Sequence, residues 1–147
     1  MKKLLISDEQ LALEAISARE MAYTPYSHFS VGAALQTSDG SIYRGCNIEN
    51  AAFGPSNCAE RTAFFKAVSE GERNFVSIAI VGGREGTPIS DWCAPCGVCR
   101  QVMREFCNPE TFRIILACDP DVSDPAHIKS FTLSELLPVS FGPDNLE

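Results

Sequence analysis

The chain reads as an α/β protein of three layers, α/β/α, around a mixed sheet of five strands. Three observations predict this. Phe75–Val81 and Thr111–Cys118 read as apolar strands, with Ser77 the one polar residue of the first and Thr111 and Arg113 those of the second. Strands without polar alternation are buried on both faces, which requires helices on each side of the sheet. The connections from Cys46 to Phe75 and from Val81 to Thr111 each hold a helical segment, as parallel crossovers require. Val31–Thr37 and Ser41–Cys46, by contrast, are joined by the tight turn Ser38-Asp39-Gly40, which makes an antiparallel hairpin and so a mixed sheet.

Each element has its own reason. Ser7-Asp8-Glu9-Gln10 is a capping box, and Leu11, Leu13, Ala15, Ile16 and Met21 extend a helix from it to about Tyr23. The hairpin follows. Cys58 to Ser69 is the next helix, closed by Glu70-Gly71. After the strand Phe75–Val81, Pro95 introduces a helix from Cys96 to Phe106. Thr111–Cys118 is a strand, Ile128–Thr132 a short fifth strand, and Leu133–Leu137 a short helix ended by Pro138. There are no internal repeats or low-complexity segments, and residues 1–147 read as one domain.

Composition bounds the function. The chain has 147 residues, 45% hydrophobic and 21% charged, enough to bury a core. A net charge of −7 argues against a nucleic-acid groove, because phosphate contacts need a basic face. No apolar stretch is long enough to span a bilayer. Met1-Lys2-Lys3-Leu4-Leu5-Ile6 begins like a signal peptide, but Asp8 and Glu9 interrupt it, so a cytoplasmic location is expected. The expected partner is a small molecule carrying little negative charge. Seven cysteines in a cytosolic chain point to metal binding rather than disulfides.

Asn57-Cys58-Ala59-Glu60 and Ala94-Pro95-Cys96-Gly97-Val98-Cys99-Arg100 carry the chemistry. Cys96 and Cys99 are three apart, so one helical turn puts both sulfurs on one face, and the fold must bring Cys58 to them. Three protein ligands leave the fourth tetrahedral position of a Zn²⁺ ion open for water, the arrangement of a catalytic site. Glu60, two residues after Cys58, is placed as a general acid/base beside the metal. Zinc deaminases of nucleobases carry H-x-E…P-C-x-x-C, with Cys able to replace His. This chain reads C-x-E…P-C-x-x-C.

Cys93-Ala94-Pro95-Cys96 is an overlapping C-x-x-C. The Cys96/Cys99 pair is preferred, because Pro95 disfavours a helical Ala94 and leaves Cys93 outside the helix. Cys46, Cys107 and Cys118 sit in apolar segments and read as buried thiols. Three thiolates on one Zn²⁺ leave a formal charge of −1. Arg61 and Arg100, each adjacent to a ligand, are the candidates to offset it by hydrogen bonds to sulfur, with Arg61 favoured. His28 reads as structural, since no H-x-E occurs, and Trp92 either walls the site or packs.

Four segments together resemble the small homotetrameric cytidine deaminases. They are Pro25-Tyr26-Ser27-His28-Phe29-Ser30-Val31-Gly32-Ala33-Ala34; Gly45-Cys46-Asn47-Ile48-Glu49-Asn50-Ala51; Cys58-Ala59-Glu60-Arg61-Thr62-Ala63; and Pro95-Cys96-Gly97-Val98-Cys99-Arg100-Gln101-Val102. Glu135-Leu136-Leu137-Pro138 and Phe141-Gly142-Pro143 also match, so the resemblance runs from Pro25 to Pro143 in the family's order. It implies one zinc per chain and hydrolytic deamination of cytidine and 2′-deoxycytidine to the uridines, a pyrimidine-salvage reaction releasing ammonia. By that resemblance, water made nucleophilic by the zinc would attack C4 of the ring, while Glu60 takes a proton from the water, protonates N3, and later helps deliver a proton to the leaving amine.

The resemblance assigns further roles. The backbone N–H of Ala59 binds the ring carbonyl O2, and the carbonyl of Ala94 lies near the amine. Asn47 and Glu49 hold the ribose 3′-hydroxyl. Phe29 packs on the base, and Phe141 is supplied from a neighbouring subunit of a homotetramer. Without it, Asn47 and Glu49 would be a solvated strand edge, and Phe29 and Phe141 core or lid residues. Two positions depart from the family's pattern. Phe53 stands where Tyr is common and cannot donate to the sugar's 5′ side, and Ala94 stands where Ser or Thr is usual. The rivals are a blasticidin-type or polynucleotide deaminase, or a binding module whose purely structural zinc is completed by Glu60 or Cys93.

Overall fold

The computed structural model describes residues 3–147, so the first two residues of the signal-like N-terminus lie outside it. The elements run α1 (Asp8–Arg19), β1 (Phe29–Thr37), β2 (Ile42–Cys46), α2 (Ala59–Ser69), β3 (Phe75–Arg84), α3 (Gly97–Phe106), β4 (Arg113–Ala117), β5 (Ile128–Thr132) and α4 (Leu133–Leu136), with 3₁₀ turns at Pro125–His127 and Pro143–Leu146. The sheet has the order β2-β1-β3-β4-β5.

The sheet is mixed, as expected. β1 is antiparallel to β2, with Ala33 opposite Gly45, and antiparallel to β3, with Ala33 opposite Ile80. β3 and β4 are parallel, and β5 returns antiparallel to β4. The crossover through α2 joins β2 to β3, which run the same way, but β1 lies between them. The crossover through α3 joins direct neighbours.

Alternation along the buried strands sorts the two cores. Ala79, Val81 and Ala34 pack under Leu11, Ala12 and Ala15 of α1. Ile78, Ile80, Ala33 and Leu35 pack under Phe64, Ala63 and Ala67 of α2 and Met103 of α3. Both faces of β1 and β3 are therefore covered, which is why their sequences lack polar alternation. Phe64 anchors the second core, 5.1 Å centroid to centroid from Phe75 and 6.0 Å from both Phe106 and Phe112.

Several boundaries differ from the sequence reading, β4 for one being shorter at both ends than Thr111–Cys118. The Ser7 capping box forms, but α1 ends at Arg19 rather than near Tyr23. The backbone of Tyr23 is taken instead by the segment after β2: its N–H donates to Asn47 O, and its carbonyl accepts from Glu49 N. β1 starts at Phe29 and β3 runs on to Arg84, because Phe29 pairs with Arg84 and Ser30 with Gly83. This extension carries Phe29 beyond the core. Cys107 is buried as expected, whereas Cys46, at the end of an edge strand, and Cys118, just past β4, are only half-buried. Among the described residues no helix is long and apolar enough to cross a membrane.

Gly45 sets the depth of α2. A Cβ there would collide with the Ala59 carbonyl and lie 2.6 Å from Ala63 N. The first turn of α2, with Cys58, Ala59 and Glu60, is seated directly on the backbone of β2 for want of that side chain.

Candidate active site

Two helix N-termini meet on the α2/α3 face of the sheet. Cys58 is the N-cap of α2 and Cys96 the N-cap of α3. Both have the extended backbone of a cap, yet neither side chain bonds the helix it opens. Ser, Thr or Asp at such positions would turn inward to cap. The sulfurs are thereby left free to point elsewhere, and Cys99 adds a third from the first turn of α3. Free N–H groups and the positive end of each helix favour thiolate over thiol here.

The ligand atoms of Cys58, Cys96 and Cys99 all lie within 4.8 Å of one another. Cys58 Sγ is 3.9 Å from Cys96 Sγ, which is 3.5 Å from Cys99 Sγ. Tetrahedral zinc with Zn–S bonds of ~2.3 Å sets its sulfurs about 3.8 Å apart, so the residues fit the ion. An all-sulfur donor set is also what zinc accepts and hard cations do not. The three cysteines can hold one metal ion and supply three ligands, not four.

Arg61, one turn along α2, donates from Nη2 to Cys58 Sγ at 3.3 Å, and its Nε is buried without a partner. Arg100 is used differently. It donates to the carbonyls of Pro95 at 2.8 Å and Leu136 at 2.6 Å, bracing the entry to α3 instead of a sulfur. Within the cluster the thiols are tightly coupled. Hydrogen bonding from Cys99, opposed by burial and aided by Arg61, draws the Cys58 thiol well below its ordinary range. The same bond and burial push Cys99 up.

Glu60 lies in the first turn of α2 and is only 5% exposed. Burial pushes its carboxyl up to about 7, and the neighbouring Cys58 adds to the rise. Ala59 beside it is fully buried, and its N–H belongs to the first turn, where helical N–H groups have no intrahelical acceptor. Ala94 lies exposed in the loop before α3.

Cys93 stands outside the sulfur cluster. A Cβ on Gly82 would fall 2.6 Å from Cys93 Sγ and 3.1 Å from Phe29 Cε1, so the thiol and the ring both rest on that glycine. Burial pushes the Cys93 thiol up to about 11. Phe29 is thus brought beside the loop that leads into Cys96, with 43% of its surface still open. Trp92 packs: it is half-buried against the core, and Lys129 Nζ sits 4.2 Å from its ring centroid. His28, in the left-handed backbone region at φ 56°, is exposed and pairs with Glu85 at 3.0 Å.

Asn47 and Glu49 face the same rim, but each is already engaged. Asn47 accepts from Val31 N at 2.9 Å and donates to Phe29 O at 2.8 Å. Glu49 accepts from the backbone N–H groups of Tyr26 and Ser27 and from the Ser27 hydroxyl. The two side chains hold the loop that carries Phe29. Ile48 between them forms a two-way backbone bridge with Asn57, which draws this rim next to Cys58. Tyr26, Ser27, Glu49, Phe53 and Ser56 line a hollow of about 330 Å³ there. Sequence reasoning missed Ser27 and Tyr26, for no spacing rule ties them to Glu49. Phe53, at φ 61° and 71% exposed, meets Tyr26 edge-on at 6.1 Å. Phe141 lies on the outer side of α3, where Gln101 holds its carbonyl at 2.9 Å while its ring stays 60% exposed.

Comparison with known proteins agrees with this geometry. Residues 5–115 match the family model of the cytidine and deoxycytidylate deaminase zinc-binding region. The chain is 49% identical over 138 residues to a cytidine deaminase of Sporosarcina psychrophila, covering 94% of this chain and 93% of the relative. It is likewise 49% identical to one of Halalkalibacterium halodurans, covering 94% and 96%. The crystal structure of a cytidine deaminase from Burkholderia pseudomallei superposes with a TM-score of 0.78 at 43% identity, over 92% of this chain and all of that one. The chain therefore belongs to the cytidine deaminase family, hydrolytic deaminases built on a zinc-binding region.

Proposed function

We propose that this chain hydrolyses cytidine and 2′-deoxycytidine to uridine and 2′-deoxyuridine, releasing ammonia, as a cytoplasmic enzyme of pyrimidine salvage. One observation carries the reading: three convergent sulfurs, able to hold one ion, lie beside a carboxylate that is 5% exposed in the same helical turn as Cys58. The converging ligand atoms are those of the three cysteines and do not include a Glu60 oxygen, which leaves the carboxylate to act as an acid/base instead of a fourth ligand.

Zinc held by Cys58, Cys96 and Cys99 would supply the Lewis acidity that makes water a nucleophile near neutral pH. The remaining steps belong to the chain. Glu60 Oε takes one proton of the attacking water and gives it to N3 of the ring, then passes the second, from the hydroxyl now on C4, to the amine, which leaves as ammonia. The Ala59 N–H binds O2 of the base, and the Ala94 carbonyl receives the amine. Arg61 offsets the excess negative charge of three thiolates through Cys58. Phe29 packs on the base from its seat over Gly82.

For the sugar, Asn47 and Glu49 face the 3′-hydroxyl. Each keeps capacity beyond its bonds within the chain, since an amide nitrogen has two N–H donors and a carboxylate about four lone-pair sites. Phe53 offers no hydroxyl at the rim, so 5′ contacts fall to other groups. Seven free cysteines fit a reducing compartment. A net charge of −7 supports a nucleoside over a polynucleotide and over an anionic membrane surface.

The functional test is ultraviolet loss of cytidine and 2′-deoxycytidine by purified protein. Both should disappear, and a zinc chelator should stop the reaction until zinc is restored. Turnover that persists after complete metal removal would refute the assignment.

The working unit is proposed to be a homotetramer with pockets shared between subunits. Its support is a set of apolar side chains left in solvent by one chain: Phe29 at 43%, Phe53 at 71%, Phe65 at 48%, Val98 at 57% and Phe141 at 60% exposed. Burial of these side chains against neighbouring chains would remove that apolar surface from water, and dihedral symmetry gives each pocket the same neighbours. Light scattering at micromolar concentration should report four chains. A fully active monomer would end the shared-pocket reading.

A further inference from the structure

We propose that Arg104 and Gly142 form a clamp whose purpose is to present the Phe141 ring, making Arg104 a positioning residue for substrate binding. This rests on the reading that Phe141 closes a neighbouring subunit's pocket. The clamp itself is read from contacts within one chain.

Arg104 ends α3 as a nearly buried guanidinium, with 10% of its side chain exposed. Both of its side-chain hydrogen bonds reach the C-terminal tail. Nε donates to Ser140 Oγ at 2.8 Å, and Nη2 donates to Asp144 Oδ1 at 2.5 Å. Gly142 lies flat on the same guanidinium, where a Cβ would collide with Nη1 and Cζ. Gly142 is also held from the far side: Asn145 N donates to its carbonyl, and Asn145 Oδ1 accepts from its N–H at 2.8 Å. Gln101, one turn earlier on α3, fixes the Phe141 carbonyl. Residues on both sides of Phe141 are therefore pinned to one helix.

What the clamp leaves loose is as informative. Val139, Phe141 and Leu146, the apolar side chains of this tail, are 106%, 60% and 79% exposed. Val139 also sits at φ 52°, a region that β-branched residues rarely adopt. A tether that served folding would bury apolar surface, and this one spends a buried arginine and a strained turn to hold an aromatic ring in solvent. Strain of that sort persists where the surroundings over-determine the backbone, typically at ligand clamps. A ring whose backbone is pinned on both sides can dock into a second copy of the chain with less ordering cost on binding.

The test is steady-state kinetics of the zinc-loaded full chain with cytidine, for Phe141→Ala, Arg104→Met, Gly142→Ala and Arg104→Met/Phe141→Ala. Each single change should raise KM about tenfold, the scale of one lost aromatic contact, with kcat within about twofold. The double variant should be no worse than Phe141→Ala alone, because Arg104 acts only through that ring. Asp144→Asn, at an exposed position that threatens no fold, should raise KM in the same direction by about threefold. A multiplicative double variant, or parallel loss of kcat, zinc and melting temperature in Arg104→Met, would make Arg104 merely structural and overturn the clamp. So would normal KM in Arg104→Met and Gly142→Ala while Phe141→Ala is impaired, leaving the shared pocket intact. Normal KM in Phe141→Ala removes the shared-pocket reading itself, and the clamp with it.

Discussion

Glu60→Gln is expected to lower kcat for cytidine by at least the roughly 10²–10⁴-fold typical of a lost general acid/base, with zinc content and nucleoside binding retained. The substitution keeps the shape of the side chain and its place in the first turn of α2. It removes only the ability to take up the protons of the attacking water and pass one to N3 and one to the amine. A purely structural role makes the opposite forecast. An acidic residue in a first turn stabilises the helix through its dipole, so its loss would shift the melting temperature and leave the rate alone. Here the carboxyl is 5% exposed, where an amide is cheaper to bury than a charge. Stability should therefore hold or rise as activity collapses. Metal analysis, calorimetric titration with nucleoside and a thermal melt separate the two. Near-normal kcat would mean that the proton travels by another route.

What the sequence made legible was local. The Ser7 capping box, the hairpin turn and the helix entries at Cys58 and Cys96 are written in a few adjacent residues, and the structure has them. The apolar runs foretold burial on both faces because Ile78 and Ile80 serve one core while Ala79 and Val81 serve the other. What stayed hidden depends on distant partners. The end of α1 is decided by Asn47 and Glu49, whose backbones capture Tyr23. No helix propensity in the Arg19–Tyr23 stretch reveals that competition.

The rim was half legible for the same reason. Asn47 and Glu49 were found by their motif, but not their bonds to Phe29, Val31, Tyr26 and Ser27. Those bonds explain why Phe29 is held at a fixed place at the start of β1. Nothing in the sequence singles out Arg104. Its partners Ser140 and Asp144 lie 36 and 40 residues away, beyond any periodic pattern.

Replacing cysteines one at a time should divide the two overlapping C-x-x-C pairs. Cys99→Ser is expected to lose zinc, at a cost beyond the roughly 10–100-fold in affinity that follows loss of even an outer partner of a ligand. Serine keeps the volume of the side chain but offers a hydroxyl that does not ionise where a thiolate is needed. Cys93→Ser should keep one zinc per chain. Its sulfur is turned onto Gly82 and Phe29, away from the three that converge, and burial holds it as a thiol. The rival binding module needs Cys93 or Glu60 as a fourth ligand, so it forecasts zinc loss from Cys93→Ser or from Glu60→Gln. Metal content of the three variants, with a sulfur count from X-ray absorption of the parent protein, decides between them. Three sulfurs and a zinc-loaded Cys93→Ser leave a coordination position that no side chain fills, and that open position is what distinguishes an enzyme from a scaffold here. Zinc retained by Cys99→Ser and lost by Cys93→Ser would reverse the ligand assignment.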